Sequence, residues 1–166
     1  IDALPAGATL FVGNSLPVRD LDTFCPAGDK PLRVLHQRGA AGIDGLIAGA
    51  AGARSVGAEP LALLLGDLSA LHDLGGFAAL RCVPGPIAVV IVQNRGGRIF
   101  EQLPLAQSPT AQADFERLFL TPQQVDFAAA AQSFGLCFTR ASTPAELSSG
   151  LAAALRADAP VLLEAV

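Results

Sequence analysis

What this chain lacks closes off several classes of protein. Its single lysine, Lys30, and its ten arginines form no basic run, and the net charge is -4, so the sequence carries no electrostatic footprint for nucleic acid. No apolar stretch approaches the roughly 20 residues needed to span a membrane. Residues Ile1 to Ala8 lack the charged start of a signal peptide, which leaves the cytoplasm as the expected location. Cys25, Cys82 and Cys137 are odd in number, widely separated and without CxxC or histidine spacing. They are expected to be reduced and structural rather than ligands or nucleophiles. His36 and His72 stand in no recognisable catalytic spacing and are read as structural. No Gly-x-Gly-x-x-Gly follows the first apolar run, which argues against nicotinamide binding. Methionine is absent and the chain opens with Ile1, as expected of an excised or processed piece. There is no repeat and no low-complexity tract.

Apolar residues, by contrast, make up 51% of the chain, and the mean hydropathy is +0.47. A chain of this length buries roughly 70% of its unfolded surface, so the surplus is expected to meet partner domains. Six short runs rich in β-branched residues or leucine read as buried parallel strands: 10–12, 33–35, 61–65, 87–92, 137–139 and 161–164. Helical patterns alternate with them. Residues 18–24 follow Pro17, 45–56 are rich in alanine and glycine, 71–83 form a crossover, and 126–134 precede Gly135 as a C-cap. Thr143-Pro144-Ala145-Glu146 reads as a capping box for a helix reaching Arg156. Strict alternation predicts one doubly wound α/β domain, about six parallel strands with helices on both faces. Residues 98–124, with Pro104, Pro109 and Pro122, form the one long irregular connection, a candidate lid or binding segment.

The chemistry concentrates at two strand ends. Gly66-Asp67-Leu68-Ser69 follows one apolar run and Asn94-Arg95-Gly96-Gly97 follows the next. The spacing suits a strand, one crossover and a second parallel strand, roughly 30 residues. Ligands in such sheets bind outside the carboxyl ends of the strands. A carboxylate and an amide oxygen there suit Mg2+, which takes one or two carboxylates and leaves positions for phosphate and water. Gly66, Gly96 and Gly97 allow close backbone approach to phosphate, and Ser69 offers a hydroxyl and an N–H. Each loop taken alone reads as an ordinary turn; the pair at this separation reads as a diphosphate site.

These residues resemble the signature of the thiamine diphosphate enzymes, Gly-Asp-x, about 25 further residues, then Asn. With Gly13-Asn14-Ser15-Leu16-Pro17-Val18-Arg19, Arg38-Gly39-Ala40-Ala41-Gly42-Ile43-Asp44-Gly45 and the continuation to Leu74, the chain is similar to the menaquinone-pathway carboligases of that family. The resemblance runs from about Thr9 to the C-terminus and corresponds to the last of three domains, the one that binds the diphosphate. It implies thiamine diphosphate with Mg2+ or Mn2+ as cofactors. The metal would be held by Asp67, the Asn94 side chain and the Gly96 carbonyl. Ala40, Ala41, Gly66, Leu68 and Ser69 would contact the cofactor, and Ile43 would wedge it into a bent shape. Ile99, Phe100 and Leu103 would form an apolar wall at the reacting carbon, where water is excluded. Ser15, Arg19 and Arg38 would meet a multiply carboxylated substrate, for which guanidinium forks are suited.

The same resemblance implies decarboxylation of 2-oxoglutarate and addition to isochorismate by a homodimer or homotetramer. The activating glutamate would come from the first, pyrimidine-binding domain of a neighbouring subunit, so the piece alone is expected to be inactive. Ala41 stands where serine is common, Gln93-Asn94 replaces Asn-Asn, and Arg95 replaces a frequent Asn. Two rivals stay open: another thiamine diphosphate enzyme, of acetolactate synthase or 2-oxoacid decarboxylase type, and a noncatalytic α/β interaction module.

Overall fold

The computed structural model describes the backbone of residues 1–166 and every side chain but that of Ala113. Six strands, β1 (Thr9–Val12), β2 (Arg33–His36), β3 (Leu61–Gly66), β4 (Ile87–Val92), β5 (Cys137–Ala141) and β6 (Val161–Ala165), form one sheet. Their order is β2-β1-β3-β4-β6-β5, and every pairing is parallel. Chain order reverses beside β1, which pairs with β2 on one side and β3 on the other. Such a switch point opens a crevice at the carboxyl ends of the strands. The expected doubly wound architecture is present.

Alternation along the central strands builds two cores. Leu61, Leu63 and Leu65 of β3, with Ile87, Val89 and Ile91 of β4, point to one face. There they pack on Leu46 and Ile47 of helix α2 (Leu46–Val56), Phe77 of a short helix Gly76–Leu80, and Phe127 of a helix Phe127–Ser133. Ala62, Ala88 and Leu10 face the other way against Leu155, at the end of a helix Pro144–Ala154. Leu21, on helix α1 (Leu16–Phe24), joins that second core. Each fully buried leucine or isoleucine contributes about 1.5–3 kcal/mol, which fixes β3 and β4 as the rigid centre from which the site projects.

Four expectations are corrected here. The crossover 71–83 is not one helix: a helix begins at Asp67, ends at His72, and a second runs from Gly76 to Leu80. Gly76 packs so closely on Ile47 and Ala48 that a Cβ there would collide with them, and this tight approach bends the path. β2 is not buried: Arg33, Val34 and His36 are exposed, because it is an edge strand paired only with β1. The irregular connection is instead a series of short turns, 3-10 at Arg98–Gln102 and Pro104–Gln107, α at Gln112–Phe115 and π at Glu116–Leu120. Asp126 and Thr143 cap their helices with side-chain oxygens, as their positions predict. The three cysteines are free thiols, but Cys82 and Cys137 are exposed and pack no core.

Candidate functional site

β3 ends at Gly66 and Asp67 starts the next helix without a linker, so the Asp67 carboxylate is held at the rim of the sheet yet only 4% exposed. Its Oδ2 accepts the Gly96 N–H at 2.8 Å and its Oδ1 accepts its neighbour Leu68 N–H at 2.9 Å. Burial pushes the carboxyl above its ordinary value of 3.8, and these backbone hydrogen bonds oppose the shift without cancelling it. The charged form is therefore short of positive partners.

One strand along, the Asn94 side chain follows β4, and its Oδ1 is buried with no hydrogen-bond partner. Leaving a buried acceptor unsatisfied costs about 1–3 kcal/mol. The loop beyond it is bent sharply, with φ of 63° at Arg95 and 121° at Gly96. A Cβ at Gly96 would overlap the Leu120 carbonyl, so only glycine fits. The Arg98 Nε donates to the Asn94 carbonyl at 3.0 Å and its Nη1 to Glu101 at 2.6 Å, tying the loop to the turn that carries Ile99 and Phe100. The Gly96 carbonyl accepts the Arg98 N–H at 2.8 Å and keeps a second lone pair.

Asp67, Ser69, Asn94 and Gly96 border one cavity of about 140 Å³, together with Ser15, Ile43, Gly66, Leu68, Ile99 and Phe100. Among the described residues, no three His, Cys, Asp or Glu side chains gather to hold a metal. A cation here would meet one buried carboxylate and neutral oxygens. That donor set suits Mg2+ accompanied by a diphosphate, whose own charge completes the balance. The orphaned Asn94 oxygen beside the under-compensated Asp67 fits that group.

The cavity does not gather every expected residue. Leu103 does not border it: it lies beyond the first 3-10 turn, so the apolar wall consists of Ile99 and Phe100, the latter braced edge-on against Phe119. Ala40, Ala41, Arg19 and Arg38 lie outside the enclosed volume and are exposed. His36 and His72 are exposed and border no part of it. Ser15 takes a φ of 70° at the start of α1, a conformation uncommon for a residue with a Cβ. Its carbonyl accepts the Arg19 Nη1 at 2.8 Å. Neither Arg19 nor Arg38 pairs with a carboxylate among the described residues.

Two residues without an assigned role proved structurally central. Asn14, 3% exposed, donates from Nδ2 to the carbonyls of Gln37 (3.1 Å) and Gly42 (2.6 Å), and its Oδ1 accepts the Arg38 Nη1 at 2.8 Å. Asp73 Oδ2 accepts the N–H groups of Ile47 (2.6 Å) and Ala48 (3.0 Å), capping α2 from another element. Asn14 had a signal in the sequence, a polar residue one glycine beyond a buried strand; the long-range cap had none.

The family described as thiamine pyrophosphate enzyme, C-terminal TPP binding domain, matches residues 23–165. This chain belongs to that family. As a thiamine pyrophosphate-binding domain it is 54% identical over 168 aligned residues to a 2-succinyl-5-enolpyruvyl-6-hydroxy-3-cyclohexene-1-carboxylate synthase from Sorangium cellulosum, covering 99% of this chain and 27% of that protein. It is 48% identical to the synthase of the same name from Myxococcus xanthus, covering 91% of this chain and 26% of that one. The chain thus spans about a quarter of these relatives. An X-ray structure of a protein from Mycobacterium smegmatis superposes with a TM-score of 0.69 at 20% identity, over 99% of this chain and 29% of that one, which supports the fold.

Proposed function

We propose that the complete protein carrying this domain removes carbon dioxide from 2-oxoglutarate and joins the remaining four-carbon unit to isochorismate. The product would be 2-succinyl-5-enolpyruvyl-6-hydroxy-3-cyclohexene-1-carboxylate. The observation that carries the reading is the buried, unpartnered Asn94 oxygen in one cavity with buried Asp67, in a chain 54% identical to a synthase of that name.

Bound thiamine diphosphate would supply an electron sink that accepts the pair left when the carboxylate departs and returns it to the new carbon–carbon bond. The chain's own groups do the rest. Asp67, Asn94 and the Gly96 carbonyl would hold Mg2+ on the diphosphate, with Leu68 and Ser69 beside it. Ile43 from one side and Ile99 and Phe100 from the other would exclude water from the reacting atoms. Arg19 and Arg38, free of carboxylate partners among the described residues, would bind the carboxylates of the substrates, with Ser15, which borders the cavity and accepts from Arg19, beside them. We place the activating glutamate on the first domain of a neighbouring subunit, in a homodimer or homotetramer, and the protein in the cytoplasm. No helix among the described residues is long and apolar enough to cross a membrane.

The test is incubation of the complete protein with both substrates, Mg2+ and thiamine diphosphate. Formation of the coupled product, lost in Asp67→Ala, supports the reading. Release of carbon dioxide without coupling moves it to a 2-oxoacid decarboxylase, and no cofactor-dependent turnover moves it to an interaction module.

A further inference from the structure

The geometry points to Asn14 as the residue that positions Arg38, fixing the substrate-binding guanidinium without neutralising it; this rests on the role proposed above for Arg38. Asn14 stands one residue beyond Gly13, whose N–H donates to the Leu64 carbonyl at 2.7 Å. A Cβ at Gly13 would lie 2.9 Å from that carbonyl oxygen, so the turn is pressed against β3 and gives Asn14 a rigid base.

From that base a single amide spends both its N–H donors and one lone pair of its oxygen on one loop. Its two N–H groups reach the carbonyls of Gln37 and Gly42, which flank Arg38 to Ala41, and its oxygen takes a guanidinium N–H of Arg38 itself. The loop ends and the side chain between them are therefore held by one buried group. A guanidinium has five N–H donors. One is engaged by Asn14, and the others stay available for a carboxylate. Because asparagine is neutral, the arginine keeps its full charge for the substrate, whereas an aspartate would pair with it. Restricting the rotamers before the substrate arrives lowers the ordering cost at binding.

A double-mutant cycle in the complete protein tests this. Asn14→Ala is expected to lower kcat/KM by 10- to 100-fold. Where Asn14 acts through Arg38, Asn14→Ala in an Arg38→Ala background changes kcat/KM less than threefold. Multiplicative losses overturn the proposal. A second readout needs no turnover: labelling with hydroxyphenylglyoxal followed by mass spectrometry. The Arg38 labelling rate, relative to exposed Arg156, should rise at least threefold in Asn14→Ala; an unchanged ratio overturns the proposal. Asn14→Asp keeps the acceptor toward Arg38 but loses both donors to the Gln37 and Gly42 carbonyls, so it separates the arginine contact from the loop contacts. The labelling ratio decides in whichever variant folds. In Asn14→Asp, Arg38 labelling should fall and KM for the carboxylate substrates rise at least tenfold, and wild-type values of both overturn the proposal. A wild-type protein inactive on these substrates would refute the proposed reaction, while the labelling ratio would still decide the role of Asn14.

Discussion

The Gly96 N–H donates to Asp67 Oδ2 at 2.8 Å across 29 residues of chain, so the loop after β4 is built onto the carboxylate that ends β3. Two consecutive strand ends are thereby locked into one unit before any ligand binds. The same bond partly offsets the burial of Asp67 and leaves its carboxyl raised.

That shift has a sign that can be measured. The folded chain holds the Asp67 proton to higher pH than the unfolded chain, whose value is 3.8. The native state therefore binds more protons in the window opening near 3.8, and this group's contribution to stability falls as pH rises through it. Urea unfolding of the metal-free protein from pH 3.5 to 7 should show that loss in wild type and not in Asp67→Asn. Parallel profiles would contradict the assignment. Mg2+ affinity should run the opposite way, weakening as pH falls through the window, because the metal requires the carboxylate.

Gly96→Ala should damage both fold and site. The position has φ of 121°, which L residues rarely adopt, and the added Cβ would run into the Leu120 carbonyl. We expect about 2 kcal/mol or more of destabilisation and at least a tenfold loss in Mg2+-dependent cofactor affinity, read by chemical denaturation and by calorimetry. A variant matching wild type in both would show that the loop tolerates a different path.

Asp73→Ala should destabilise the protein by about 1–2 kcal/mol, the usual cost of removing a helix cap. Two N–H groups at the start of α2 lose their shared acceptor, since Gly45 offers no side chain in its place. Asp73→Asn keeps an oxygen acceptor and should lose less. Equal losses in the two variants, measured by urea unfolding, would place the effect in charge rather than in the cap.

Much of this arrangement was legible in the residues. Runs such as Leu61 to Leu65 and Ile87 to Val92 are apolar on both faces, as only strands covered on both sides can be, and the loops after them carried Asp67 and Asn94. Edge positions were not legible: Val34 reads like core, yet its exposure follows from strand order, which no local pattern encodes, while Leu35 beside it packs on the core. The reach of a side chain was equally hidden. Leu103 follows Ile99 and Phe100 closely in the sequence, but a 3-10 turn from Arg98 to Gln102 lies between it and the cavity that Ile99 and Phe100 border. The contacts of Asn14 with Gln37, Arg38 and Gly42 join segments 23 to 28 residues apart, beyond the range of turn chemistry.

The measurement that bears most directly on the account is calorimetric titration of thiamine diphosphate into the complete protein, with and without Mg2+, for wild type, Asp67→Ala and Asn94→Ala. The account predicts Mg2+-dependent binding in wild type and at least a 100-fold loss, about 2.7 kcal/mol, in each variant. Wild-type affinity in both variants would contradict the assignment of Asp67 and Asn94 as the metal–diphosphate site.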